Sequence, residues 1–350
     1  MSTLLPGITS RQIPTARLRT NVLEREGDAA DGTPVVLVHG NVSSALFFQP
    51  LMLALPASWR VVAVDLRGFG DSETAPVDAT RGLRDFADDV HAVVAELGLA
   101  GDPHLFGWSM GGGVVMQYAL DHPVASLALQ APVSPYGFGG TTLDGTFLTP
   151  DAAGAGGGGG NPDFVAALDA GDTGDGPASP RTVYRTTYVH AGHADEHEDL
   201  WVESMLSTKT GVDNYPGDSR PSENWPGFAP GDRGVLNTMS PDHLDLSGIA
   251  AITPKPPILW VHGDSDVIVA DASFFDLNQL GALGVVPGWP GADAAPAQPM
   301  VSQTRAVLDA YRGGGGAVTE LLLEACGHSP HLEYPDLVRG ALEELIASAD

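Results

Sequence analysis

Between Thr33 and Pro132, short runs of consecutive apolar residues alternate with longer segments whose apolar positions recur every three or four residues. The runs "TPVVLVHG" from Thr33, "RVVAVDLRG" from Arg60, "PHLFGWS" from Pro103 and "VASLALQAP" from Val124 are rich in valine and leucine and end near glycine or proline. That is the pattern of strands buried on both faces. Two more follow far downstream, "PPILWVHGDSD" from Pro256 and "AVTELLLEACGH" from Ala317. Helical periodicity fills the gaps in "ALFFQPLMLAL", "LRDFADDVHAVVAELGL", "GGGVVMQYALDHP", "MVSQTRAVLDAYR" and "PDLVRGALEELIAS". Buried strands alternating with helices predict an α/β fold with a mostly parallel central sheet and helices on both faces. The earlier stretch "ITSRQIPTARLRTNVLERE" alternates more weakly and predicts an antiparallel hairpin at the sheet edge.

The alternation lapses after Pro132 and resumes at Pro256. This divides the chain into a core of residues 1–132 and 256–350 and an inserted cap or lid region at 133–255. Only short helical pieces, "NPDFVAALD" and "DEHEDLWVESMLS", interrupt its Gly, Asp and Pro. The run "GAGGGGGN" has neither a buried strand before it nor Lys-Ser/Thr after it, so a flexible linker is expected rather than a phosphate loop. Residues 267–299 form a second, loop-rich insertion.

Charge narrows the partners. With 17 Lys and Arg against 44 Asp and Glu, the formal net charge is −27. No basic cluster exists to engage phosphates, so nucleic acid and anionic membrane surfaces are not expected partners. Cys326 is the single cysteine, which precludes an internal disulfide and suits a reducing compartment. The first thirty residues lack the apolar core of a secretory signal, and no window reaches the length of a membrane span. The expectation is a cytoplasmic protein of undetermined oligomeric state.

The chemistry gathers at strand ends. "GWSMG" places Ser109 in a G-x-S-x-G pattern directly after one buried run and before a helical one, the context of a nucleophile elbow. Glycines at 107 and 111 are expected where the sharp turn brings helix and strand together. In a chain with 44 glycines the pentapeptide alone is weak, and Ser109 could merely cap the helix. Ligands of open α/β sheets bind at the carboxyl ends of strands, and there "GDSD" carries Asp266, "ACGHSPHLEYP" carries His328, and "HGN" carries His39, Gly40 and Asn41. A serine hydroxyl needs a base to take its proton, and the base needs an acid to orient it. His331 is a rival base and Asp264 a rival acid, but one falls inside a helix opening and the other at the end of its strand. The order Ser, Asp, His is that of the α/β-hydrolase triad.

With "LVHGN", "VDLRGFGDS", "GWSMGG", "HGDSDVIV" and "GHSPHLEYP" in this order, the chain resembles the α/β-hydrolase superfamily, specifically a serine esterase or lactonase with a cap. The resemblance implies Ser109 as nucleophile, His328 as base, Asp266 as acid, and an oxyanion hole of the Met110 and Asn41 backbone amides. It implies no cofactor and no metal, and a small-molecule ester or lactone as substrate. Haloalkane dehalogenases of this superfamily bind halide with an Asn at the place of Asn41, but they and the epoxide hydrolases attack with a carboxylate, where this chain has Ser109. Carbon–carbon bond hydrolysis and cofactor-free perhydrolysis use the same triad and stand as alternatives; a non-catalytic receptor is the remaining one. "DLRGFGDS" reads as a structural turn.

Two groups of residues remain. His190, His193 and His197 have helical spacing suited to a metal, but Gly192 weakens that helix and a solvated acidic face is the simpler expectation. Aromatics beside the motifs and in the insertions, Phe47, Trp108, Trp201, Trp225, Phe274 and Trp289, are expected to line a pocket for a bulky, mainly apolar substrate. Alternatively they pin the insertions to the core.

Overall fold

The computed structural model describes residues 3–99 and 101–349. Eight strands form one sheet: β1 (Ile8–Pro14), β2 (Arg19–Arg25), β3 (Thr33–Val38), β4 (Trp59–Val64), β5 (His104–Trp108), β6 (Ser126–Gln130), β7 (Ile258–Gly263) and β8 (Val318–Leu323). Their spatial order is β1-β2-β4-β3-β5-β6-β7-β8. All the predicted apolar runs are strands, and all pair in parallel. The weakly alternating N-terminal stretch is the antiparallel edge hairpin, β1 on β2, with β2 in turn antiparallel to β4.

Burial explains the pattern. Residues of β3, β5, β6 and β7 are almost wholly buried because helices cover both faces, and the few polar positions there are paired, His104 Nδ1 with Ser126 Oγ (2.8 Å) and His262 Nε2 with Glu320 Oε1 (2.8 Å). β8 departs from the expectation of a fully buried run. It is the outer strand, with Thr319 and Leu322 exposed, because no neighbour covers its far side.

The predicted helices occur as Arg84–Leu97, Met110–Asp121, Met300–Gly313 and Pro335–Ala349, and a 3-10 turn with a short helix, Ala45–Phe48 and Gln49–Ala54. "VDLRGFGDS" builds a turn around the buried Asp65, whose carboxylate accepts from the amides of Ala45 (2.7 Å) and Asp71 (3.0 Å) and from Asn21 Nδ2 (2.9 Å). Burial nevertheless raises its pKa to about 6. A side chain on Gly70, at φ 55°, would run into that carboxylate, which accounts for the glycine.

Between β6 and β7 the chain leaves the sheet and packs over the carboxyl ends of the strands. Its short helices include Pro162–Asp169 and Glu198–Leu206. Much of the seam with the sheet-bearing part joins main chain to main chain: Lys209 N to Gly68 O (2.8 Å), Val77 N to Asp213 O (3.0 Å), Ala79 N to Asp232 O (2.9 Å) and Gly234 N to Val77 O (3.0 Å).

The glycine run departs from the expected flexible linker. Residues Gly157–Gly159 make a 3-10 turn packed among neighbours. A Cβ at Gly156 would collide with Asn237 Oδ1, at Gly157 with the Asp218 carbonyl, at Gly158 with the Phe228 ring, and at Gly160 with Pro216 Cβ (2.7 Å). The absence of side chains there is a packing requirement, not a device for mobility. Residues 267–299 also hold an unforeseen helix, Leu277–Ala282, capped by the Asp276 carboxylate on Asn278 N (3.0 Å).

Candidate active site

Ser109 is the hinge between β5 and the helix Met110–Asp121, with φ 58° and ψ −120°. This is a strained conformation for a residue with a Cβ, costing on the order of 1–3 kcal/mol. Its backbone is held on both sides: Ser109 N donates to Gln130 O (2.9 Å), and Val133 N donates to Ser109 O (3.0 Å). A side chain on Gly107 would strike the Gly111 carbonyl, and one on Gly111 the Val38 carbonyl. The glycines of "GWSMGG" therefore act by allowing the approach of helix and strand, as the sequence predicted.

His328 follows β8 on a loop and Asp266 follows β7. His328 Nδ1 lies 2.8 Å from Asp266 Oδ2, with both side chains buried. The other oxygen of Asp266 accepts from the amides of Ile268 (2.8 Å) and Val269 (3.0 Å), which fixes the carboxylate's plane. Trp108 Nε1 donates to the His328 carbonyl (2.8 Å), tying the His328 loop to the residue before Ser109. His328 and Ser109 line one cavity, although Ser109 Oγ makes no hydrogen bond to the imidazole.

The two rivals point elsewhere. Asp264 is exposed and accepts from Ala325 N (2.8 Å) and Ser265 Oγ (2.9 Å). His331 is buried against Phe48 and Trp108, with Nδ1 2.7 Å from Gln130 Nε2. Burial lowers its pKa to about 3, which keeps it neutral.

Gly40 packs so closely on Ser109 that a Cβ would come within 2.9 Å of the serine Cβ, which brings the "HGN" loop to Ser109. The Gly40 carbonyl is held by His39 Nδ1 (2.7 Å) and Ser43 Oγ (2.8 Å), and Leu66 N donates to His39 Nε2 (3.0 Å). These contacts assign the proton to Nδ1, and burial lowers the His39 pKa to about 4, so the neutral ring persists. Val42 sits at φ 46°, rare for a β-branched residue. Met110, the first helical residue, has a backbone N–H with no acceptor within its own helix. Asn41 Oδ1 is buried without a hydrogen-bond partner and Asn41 lines the cavity.

The cavity measures about 370 Å³. The segment between β6 and β7 supplies one wall through Phe138, Phe164, Tyr188 and the glycine run, and residues 267–299 supply the other through Val269, Phe274 and Leu280. No Lys or Arg is among its lining residues.

Of the six aromatics expected to line it, Phe274 does; the other five do not. Phe47 is fully buried, stacks on Trp201 (4.9 Å between centroids) and packs at a tilt against Trp108 (5.1 Å). This trio cements the intervening segment to the core, with Trp201 Nε1 donating to Asp195 Oδ2 (2.6 Å). Trp225 and Trp289 flank Gly281, donating to Pro287 O (2.9 Å) and Ala295 O (3.0 Å). The physical reason is size: large rings bury the most area where loop-rich segments meet the core. The glycine run was missed as a wall of the cavity, and no local signal in the sequence marks it.

His190, His193 and His197 share no helix, since residues 190–197 are irregular, and no group that could hold a metal occurs among the described residues. No helix among them is long and apolar enough to cross a membrane. Cys326 is buried, and burial pushes its thiol pKa up.

Comparison with known proteins agrees with this architecture. A sequence model described as the alpha/beta hydrolase fold matches residues 33–154. A Variovorax paradoxus protein whose name assigns it carbamate hydrolysis, RutD, is 46% identical over 29% of this chain and 38% of its own length. The pimeloyl-[acyl-carrier protein] methyl ester esterase of Aeromonas hydrophila is 38% identical over 29% of this chain and 36% of its own. The chain thus spans little more than a third of these curated relatives. An esterase from Exiguobacterium antarcticum superposes with a TM-score of 0.57 at 17% identity, covering 97% of this chain and 100% of that one, a likeness of fold. The chain has the α/β-hydrolase fold.

Proposed function

We propose that the protein is a serine carboxylic-ester hydrolase acting on a neutral, mainly apolar ester or lactone. The observation that carries this reading is the buried Asp266–His328 pair opening onto the cavity that also holds Ser109 at a strained strand–helix turn. The names of the two relatives, one an ester hydrolase and the other a carbamate hydrolase, lie in the same class of acyl transfer to water.

In this reading Ser109 Oγ attacks the carbonyl carbon while His328 Nε2 takes the hydroxyl proton. The imidazolium so formed is stabilised by Asp266 through Nδ1. The oxyanion is received by the Met110 and Asn41 amides, each worth about 2.7–4 kcal/mol in the transition state. Collapse expels the alcohol, which takes its proton from His328. Water, deprotonated by the same imidazole, then releases the acid from Ser109. The segment 133–255 serves as the cap, and an apolar wall selects the substrate. Without Lys or Arg in the lining, and with a net charge of −27, a substrate bearing a free carboxylate is disfavoured.

The test is a panel of neutral esters and lactones with the purified protein, together with a fluorophosphonate probe read by mass spectrometry. Hydrolysis with label on Ser109, both lost in Ser109→Ala, is expected. Full activity in Ser109→Ala, or label on a different serine, overturns the assignment.

A further inference from the structure

The residues assigned to chemistry all come from the sheet-bearing part of the chain, yet one short stretch outside it touches both loops that carry them. Tyr188 Oη donates its single proton toward two carbonyls of the oxyanion loop, Asn41 O and Val42 O, each at 3.0 Å. Burial raises the Tyr188 pKa, so the phenol remains a donor. Its ring also stands edge-on to Trp108 (5.7 Å) and His328 (6.2 Å).

Two residues on, His190 N donates to Glu333 Oε2 (2.7 Å), whose other oxygen accepts from Gly327 N (2.9 Å), immediately before His328. The main chain of Val189 and His190 presses on Gly327 so closely that a Cβ there would meet His190 N and Val189 C at 2.7 Å.

We propose that the stretch Tyr188-Val189-His190 is a positioning element for catalysis, in which Tyr188 holds the Asn41–Val42 loop and Glu333, bridging to His190, holds the loop that bears His328. The inference rests on the ester-hydrolase reading above. Val42 is the place where a tie matters: at φ 46° a β-branched residue is strained, and it stays there only while its surroundings over-determine it. The Gly40 carbonyl, on the peptide that carries the Asn41 N–H, is fixed by His39 and Ser43, and the next two carbonyls along the loop are fixed by Tyr188. Removing the phenol proton frees the far side of the loop and leaves the near side in place. The cost is then smaller than the 10²–10³ in kcat that deleting a whole oxyanion donor brings, on the order of tenfold.

A pure wall residue and a positioning residue separate kinetically. Tyr188→Phe keeps the ring and removes only the hydroxyl. We compare it with wild type on phenyl acetate, too small to press on the far walls, and on a bulky aryl ester, and we measure the rate of Ser109 phosphonylation. Expected is a fall in kcat of about tenfold on both esters with KM within about twofold, and a parallel slowing of phosphonylation. Glu333→Gln, whose one carboxamide oxygen accepts only one of the two amide protons, gives the same kcat-only signature and supplies the test if Tyr188→Phe is not recovered folded. Unchanged kcat on phenyl acetate in a folded variant, or a loss confined to KM for the bulky ester, overturns the proposal and leaves the ester-hydrolase reading intact. A wild type that neither turns over any ester nor takes the label overturns both.

Discussion

Asp266 and His328 stand 62 residues apart in sequence and 2.8 Å apart in space, and the carboxylate between them is aligned by two amides of its own loop. Asp264, two positions earlier, faces away and bonds the Ala325 amide.

The first prediction follows from that divergence. Asp266→Asn lowers kcat by about 10³–10⁴, because the imidazolium loses its counter-charge and the imidazole its enforced tautomer. Asp264→Asn keeps a carbonyl oxygen for Ala325 N and stays within about twofold, as expected of an exposed position. Steady-state kinetics on one ester decides it, and equal losses in the two variants contradict the assignment.

The glycine run supplies a second. Gly156 has φ +77° and faces Asn237 Oδ1, so Gly156→Ala destabilises by about 1–3 kcal/mol. Gly159 has ordinary φ, and a Cβ there would meet only the Gly154 carbonyl, at 3.9 Å; Gly159→Ala is close to neutral. Thermal unfolding of the two variants reads the contrast, and a matching drop in both would restore the picture of a featureless linker.

Acid stability is a third. His39 and His331 are buried neutral with pKa values of about 4 and about 3. In the unfolded chain they titrate near 6.5, so between about pH 6.5 and 4 the unfolded state binds more protons and stability falls as pH falls. Asp65, raised to about 6, acts in the opposite sense between its unfolded value and 6, and it offsets part of the loss. Chemical denaturation from pH 7 to 4.5 is expected to show the net decline, with a shallower slope in His331→Gln. A slope unchanged in that variant removes His331 from the account.

The fourth separates wall from mortar. Phe274, half exposed at the cavity edge, touches substrate in our reading, so Phe274→Ala raises KM for a bulky aryl ester and leaves the turnover of an acetyl ester alone. Trp201→Ala removes a fully buried ring and destabilises by about 3–5 kcal/mol. Paired kinetics and unfolding measurements check both; a KM effect from Trp201 without loss of stability would reverse the roles.

What could be read from the sequence has a physical boundary. The strands of the sheet and the loop positions of Ser109, Asp266 and His328 were legible because burial on both faces and the steric demands of a tight turn act over a few residues. Phe47, Trp108 and Trp201 were visible as aromatics, but whether a ring faces a cavity or a seam depends on partners more than a hundred residues away. The glycine run misled for the same reason: Asn237, Phe228 and Pro216, which forbid side chains there, are remote in sequence.

The main-chain character of the seam at Gly68, Val77 and Ala79 bears on how such a protein diversifies. Every residue type but proline offers the same peptide N–H and C=O, so the part of the seam fastened through these groups reads the path of the loops beneath it rather than their side chains. Tyr188, reaching to the carbonyls of Asn41 and Val42, follows the same logic. Those fastenings are transplantable: a segment recombined onto another scaffold whose loops trace the same course would find its main-chain bonds already present and would need only the Phe47–Trp108–Trp201 packing supplied anew.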